Sequence, residues 1–289
     1  MNSTPAVAVQ SPKRIAQTIV VGNLKGGTGK STISVNLASA LIEYGVDVAI
    51  LDTDPQGTAR EWATQGRLPI RCIHEPLHDL NTAGGWTVVA RELLERHDVV
   101  VIDLPAVVAP ALAMAYLIAD VILIPAAPTE IDLHATRRVL RYIAAAQRER
   151  PENPPQVLVV PSRVERNMLN ESLMLGRLAT LGQRLTPPIR LHPEHDRAFM
   201  ERTWVGAVAP GTAAHKEILL LAGAVADALV ELRGMALPRS VKRRDHAREP
   251  EVAEQELRKV VHYLDELPRD ARVRSRYRPA WWQRLVGAG

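Results

Sequence analysis

Residues 20–32 read VVGNLKGGTGKST. An apolar run ends at Val21, glycines follow at 22, 26, 27 and 29, and Lys30-Ser31 opens a stretch of helical spacing. Glycine tolerates the backbone angles of a tight turn and lets main-chain N–H groups close on a ligand. A strand, a glycine loop and a helix N-terminus in that order predict an anion site. The first turn of a helix has N–H groups without intrahelical acceptors and carries the positive end of the dipole. Lys30 stands where an ammonium reaches the β- and γ-phosphates of a nucleotide, and Ser31 where a hydroxyl reaches Mg²⁺. Lys25 is a second cation, five residues earlier, at the mouth of the glycine run.

Two further stretches place carboxylates to match. Residues 49–57 read AILDTDPQG and residues 99–105 read VVVIDLP, so each apolar run ends in aspartate. A carboxylate after four apolar residues packs poorly unless it meets a cation, and the ends of strands are where open α/β sheets bind ligands. Asp103 is the candidate Mg²⁺ carboxylate. Asp52 and Asp54, two apart on an extended segment, can both approach the terminal phosphate, one in the metal shell and one orienting a water. Phosphoryl transfer asks for charge neutralisation and an aligned nucleophile.

Around these motifs, short β-branched runs alternate with helical patterns. Strands are expected at 18–22, 46–52, 99–103, 121–125, 157–161 and 189–192. Helices are expected at 31–44, 58–65, 86–96, 111–118, 132–149, 168–181, 194–204 and 213–233. Nearly all-apolar strands are those buried on both faces of a parallel sheet. The alternation predicts an α/β fold with a doubly wound, mainly parallel sheet flanked by helices, and the phosphate loop within it points to a P-loop NTPase. The expected organisation is a leader at 1–14, an ATPase domain at 15–233 and a basic segment at 234–289, with a helix at 251–267.

The loop from Lys25 through Gly26, Gly27, Thr28, Gly29, Lys30, Ser31 and Thr32 resembles the deviant Walker A motif of the ParA/MinD ATPases. DTDPQG at 52–57 and VVVIDLP resemble that family's next two motifs. ADVILIPAAPTEIDL at 119–133 is similar to small plasmid-partition ParA proteins. The resemblance covers roughly residues 15–232. It implies ATP and Mg²⁺ as ligands, with Ser31, Asp52 and Asp103 around the metal, and slow hydrolysis stimulated by a ParB-like partner. It implies that Lys25 crosses a homodimer interface to the phosphates held by the other subunit, with Lys30 and Asp54 completing the catalytic set. Asp54 would position the water. VVPSRVERN at 159–167 matches the region that cradles adenine, which makes Pro161, Ser162 and Arg163 nucleotide-binding candidates. Nonspecific DNA is the partner implied for the ATP-bound dimer, with Arg163, Arg166, Arg177, Arg184, Arg197 and Arg202 in the half where relatives carry such contacts.

Charge and composition bound the rest. Residues 233–289 hold 14 Lys/Arg against 8 Asp/Glu; with a whole-chain formal charge of +4, residues 1–232 are left at −2. A basic end favours a polyanion, either nucleic acid or anionic lipid. Trp281, Trp282, Leu285 and Val286, with Arg276, Arg278 and Arg284 nearby, fit a membrane-docking segment, packing on the body, or a partner. A MinD-like membrane-cycling ATPase is therefore one alternative, and a metabolic ATP-dependent ligase with the same loop is another. The single cysteine, Cys72, excludes an intrachain disulfide and disfavours the iron-protein reductases, whose shared cluster needs two cysteines from each subunit. A cytoplasmic, nucleoid-associated protein is the expectation.

Overall fold

Strands covered on both faces must be apolar on both, and the middle of this protein is built from such strands. The structure, a computed structural model, describes residues 16–64, 68–77, 83–107, 112–164 and 168–233. The expected leader, the basic segment with its expected helix and its tryptophans, and Arg166 lie outside the described residues. In chain order the elements are β1 (Gln17–Val21), α1 (Lys30–Glu43), β2 (Val48–Asp52), α2 (Thr58–Ala63), β3 (Arg71–His74), α3 (Ala83–Arg96), β4 (Val99–Asp103), α4 (Leu112–Ile118), β5 (Val121–Ala126) and α5 (Glu130–Glu149). They continue with β6 (Gln156–Val164), α6 (Met168–Ala179), β7 (Arg184–Leu185), β8 (Ile189–Arg190), α7 (Pro193–Met200), α8 (Val205–Val208) and α9 (Ala213–Arg233).

The sheet runs β3-β2-β4-β1-β5-β6-β7, with β8 joined to the far end of β6. Every pairing among the described strands is parallel. Alternate residues feed two cores. Val20, Leu51, Ile102 and Ile124 face the layer of α3, α4, α5 and α6. Val21, Ile50, Val101 and Leu123 face α1, α2, α7, α8 and α9. Each such side chain taken out of water contributes about 1.5–3 kcal/mol before the entropy cost of ordering the chain.

The register sets up the site. Val21 pairs with Asp103, Asp103 with Asp52, and Asp52 with His74. The C-terminal ends of four neighbouring strands thus lie in one row, beside the loop that leaves β1.

Several boundaries differ from the expectation. β3 and β7 are strands that periodicity does not reveal. RCIH is an edge strand, exposed at Arg71 and half-buried beyond it, so it needs no apolar run. β2 begins at Val48, not at 46, and β6 runs to Val164, beyond 161. The helix expected over 194–204 ends at Met200. Arg202 there takes a left-handed backbone (φ 51°), pairs with Glu61 at 2.6 Å and stacks over Phe199, and Trp204 caps the new helix α8. No glycine or proline marks that break. α5 begins at Glu130, ahead of the expected 132, because the Thr129 hydroxyl caps it by accepting the N–H of Asp132.

Candidate nucleotide-binding site

The loop between β1 and α1 turns on two left-handed glycines, Gly27 (φ 71°) and Gly29 (φ 89°), angles at which a side chain is strained. Gly29 caps α1, so the N–H groups of Lys30, Ser31 and Thr32 stand at the helix start without intrahelical acceptors. The Lys30 side chain is buried, and its Nζ donates to the Lys25 carbonyl at 3.2 Å. The Thr28 hydroxyl lies 3.4 Å from the same carbonyl. Burial lowers the Lys30 pKa, and Asp103 and Asp54 oppose that shift. A cation that burial disfavours gains most from an incoming anion.

Asp103 is wholly buried. Its Oδ1 accepts the Ser34 hydroxyl at 3.0 Å and its main-chain carbonyl accepts the Thr53 hydroxyl at 2.7 Å, while Oδ2 has no partner. Burial pushes its pKa up to about 7, and the neighbouring charge of Asp52 adds to this. Hydroxyl bonds from Ser31 and Ser34 and the Lys30 charge pull the other way. An orphaned carboxylate oxygen beside a serine at a helix start is a donor set of the hard, oxygen-only kind that Mg²⁺ takes. These residues fit a divalent cation.

Asp52 is also fully buried, but both its oxygens are engaged. Oδ1 accepts the N–H of Asp54 at 3.1 Å and Oδ2 that of Arg60 at 2.8 Å. Burial raises its pKa, which those two bonds and the His74 charge oppose. Asp52 therefore ties the loop after β2 to the start of α2. Asp54 lies on that loop, and its Oδ1 accepts the Gln56 N–H at 2.9 Å, which orients its carboxylate.

Lys25 is anchored across the mouth of the site. Its ammonium forms an ion pair with Oδ2 of Asp132, which also accepts the Thr129 hydroxyl. Asp132 is fully buried and its Oδ1 has no partner. Asn23 reinforces the junction, donating to the Pro125 carbonyl at 2.8 Å and to the Thr136 hydroxyl at 3.2 Å. Beside that junction, Pro161, Ser162 and Arg163 lie at the end of β6, the strand paired with β5. Ser162 is buried with its hydroxyl unpartnered. Arg163 has a left-handed backbone (φ 57°) and donates to the Gly27 carbonyl at 3.0 Å. Lys25, Lys30, Ser31, Asp52, Asp54, Asp103 and Arg163 thus surround one loop.

Sequence reading misses Asn23, Ser34, His74 and Asp132. Ser34 carries a signal, a hydroxyl one helical turn beyond Ser31. Asp132 reads only as a residue near a helix start, since its partner is 107 positions away. Of the arginines considered for DNA, Arg184 pairs with Glu231, Arg197 with Glu201 and Arg202 with Glu61, while Arg177 is exposed on α6. The exposed side of α5 carries a basic series not anticipated, His134, Arg137, Arg141 and Arg148.

A family model described as the CobQ/CobB/MinD/ParA nucleotide binding domain matches residues 19–278, and the chain belongs to that family. Maintenance of carboxysome distribution protein A of Gloeobacter kilaueensis is 32% identical over 193 residues, 63% of this chain and 81% of that protein. Its namesake in Halothiobacillus neapolitanus is 33% identical over 47% of this chain, and Protein ParA of Rhizobium radiobacter 34% identical over 44%. The matched part spans 62% and 55% of those two relatives' lengths. Among solved structures, apo McdA of Cyanothece superposes with a TM-score of 0.59 at 16% identity, covering 73% of this chain and 99% of that one. MinD of Pyrococcus horikoshii, solved with Mg-ADP, gives 0.59 at 17% identity, covering 73% and 96%. The fold is that of the P-loop proteins MinD and ParA, and the chain is of the ParA/MinD nucleotide-binding type.

Proposed function

We propose that this chain is an ATP-hydrolysing, dimerising switch that positions or partitions a cargo, binding nonspecific DNA in its ATP state and letting go on hydrolysis. One observation carries the reading. A second lysine stands at the mouth of a P-loop already served by Lys30, and it is held by a buried carboxylate of the same protomer. A point charge on a long stem at that place, with Lys30 already on the protomer's own phosphates, suits the phosphates of a neighbour's nucleotide.

The residues then divide the work. Gly26, Gly27, Thr28, Gly29 and the amides of Lys30, Ser31 and Thr32 cradle the phosphates. Lys30 neutralises the terminal ones. Ser31 and Asp103 hold Mg²⁺, with Asp52 behind them fixing the loop. Bound there, Mg²⁺ supplies charge neutralisation at the phosphate oxygens. Asp54, oriented by the Gln56 amide, aligns water on the γ-phosphorus, and Lys25 brings charge from the second subunit. Pro161, Ser162 and Arg163 flank the base. A ParB-like partner stimulates the reaction, and the protein works on the nucleoid in the cytoplasm.

DNA is favoured over a membrane by the basic series on α5. Arg137, Arg141 and Arg148 recur along one side of α5, a spacing that can follow a phosphate backbone. Among the described residues no helix is long and apolar enough to cross a membrane. The cargo is plasmid or chromosomal DNA, or a protein body such as the carboxysome in two relatives' names.

The test uses Asp54→Ala with ATP and Mg²⁺. Size-exclusion chromatography should show a dimer that persists for hours, and that dimer should retain fluorescent random-sequence duplex in anisotropy. Replacing Arg137 and Arg148 with glutamate should weaken this binding and flatten its salt dependence, by up to about 0.9 in log–log slope for each phosphate no longer neutralised. Undiminished turnover in Asp54→Ala would overturn the role of Asp54. Binding to anionic vesicles but not to duplex would favour the membrane alternative.

A further inference from the structure

The row of strand ends contains a fourth member that neither phosphate nor metal chemistry calls for. His74 ends β3, in register with Asp52, at the edge of the sheet. Its Nε2 lies 2.8 Å from the main-chain carbonyl of Asp54. That carbonyl also accepts the Gly57 N–H at 2.9 Å. A carbonyl only accepts, so Nε2 carries the proton. The ring packs against Gly57 as well. A Cβ there would stand 3.2 Å from Cε1 and 3.4 Å from Nε2 of His74, and Gly57 is left-handed (φ 63°) as the residue capping α2.

The turn from Asp54 to Gly57 is therefore held at both ends of its polarity. Asp52 takes the N–H of Asp54 and of Arg60, and His74 gives a proton to the carbonyl of Asp54. The Asp54 carboxylate is tied within the turn by Gln56. Its direction thus depends on where the turn sits, and His74 is the side chain that ties the turn to the next strand. A misplacement of about 1 Å in such a group can cost about 10²-fold in rate.

We propose that His74 is a positioning residue for hydrolysis, holding the Asp54 turn from β3 without touching the nucleotide. This rests on the reading of Asp54 as the group that aligns water. The geometry asks for a donor at Nε2, and glutamine offers an Nε2–H₂ at comparable reach. His74→Leu should lower kcat about 10-fold or more with the KM for ATP changed less than twofold. His74→Gln should restore most of the rate. Wild-type turnover in His74→Leu overturns the proposal, as does equal loss in both variants with a matching rise in KM, the mark of a general packing role.

A second measurement does not depend on turnover. Amide hydrogen exchange of residues 54–60, read on the full chain without nucleotide, should be slow in the wild type and in His74→Gln and faster in His74→Leu. Unchanged exchange in His74→Leu would sink the proposal even if the enzyme is active. Faster exchange in His74→Leu alone, together with a wild type that hydrolyses no ATP, would instead place the failure with the ATPase reading and leave the His74 tie standing.

Discussion

Asp103 and Asp132 are both fully buried, and each has one oxygen bonded and one orphaned. Their surroundings differ in one respect. Asp132 has its cation, the Lys25 ammonium. Asp103 has only hydroxyl donors, with Lys30 acting on it through space, and its pKa rises to about 7. An uncompensated buried carboxylate is costly, and a folded protein tolerates it where something else is meant to balance it. In one site the balance arrives with the nucleotide and its metal. In the other the balance is present in the free protomer and must be surrendered if Lys25 is to reach a second subunit.

The largest effect should come from Asp103→Asn. Mg²⁺-dependent ATP turnover should fall on the order of 10²–10³-fold, the scale of removing one preorganised electrostatic interaction. Stability without nucleotide should move the opposite way at alkaline pH. A carboxylate whose folded pKa is raised contributes stability that is complete below its unfolded pKa, near 4, and that is lost as pH rises through about 7. Thermal melts from pH 4 to 8 should therefore show the wild type losing ground to Asp103→Asn across that window. Parallel curves would mean that Asp103 already has a counter-charge, and the contrast with Asp132 would collapse.

Next in size is Lys25→Gln, which should abolish ATP-dependent dimerisation in analytical ultracentrifugation. It also strips Asp132 of its partner, at about 1–3 kcal/mol for a buried polar group left unsatisfied, toward the lower end because the Lys25 side chain is 36% exposed. The double variant Lys25→Gln with Asp132→Asn separates these effects. It should melt close to the wild type and still fail to dimerise. Recovery of dimerisation would assign Lys25 to the fold alone. The smallest effect belongs to Asp132→Asn by itself. Lys25 then leaves its anchor more easily, and the protein concentration for half-dimerisation with ATP should drop by about tenfold, equivalent to 1.4 kcal/mol. A rise would mean that Asp132 also supports the dimer.

How far the sequence could be read follows from what each contact spans. Lys30-Ser31 and the glycines act through neighbours in the chain, so spacing alone exposed them. The runs ending in Asp52 and Asp103 were readable because a doubly buried strand has few other ways to end in a carboxylate. β3 was not, since this edge strand is exposed at Arg71 and only half-buried beyond it, and carries no apolar signature. The break after Met200 was hidden too, held as it is by an arginine whose partner Glu61 lies 141 positions earlier.

The sequence by itself determined the alternation of the central strands with helices, the phosphate loop and the two carboxylate-ended strands, because burial and turn geometry are set by residues close in the chain. Only the tertiary structure decided which charges are balanced. Asp52 is held by backbone amides, Asp103 lacks a cation, Lys25 rests on Asp132, and His74 ties the Asp54 turn to the neighbouring strand. These are contacts between strand ends and helix starts far apart in the chain. In a buried site the energy of a charge depends on what stands within a few ångströms of it, which the fold brings together and residue spacing does not encode.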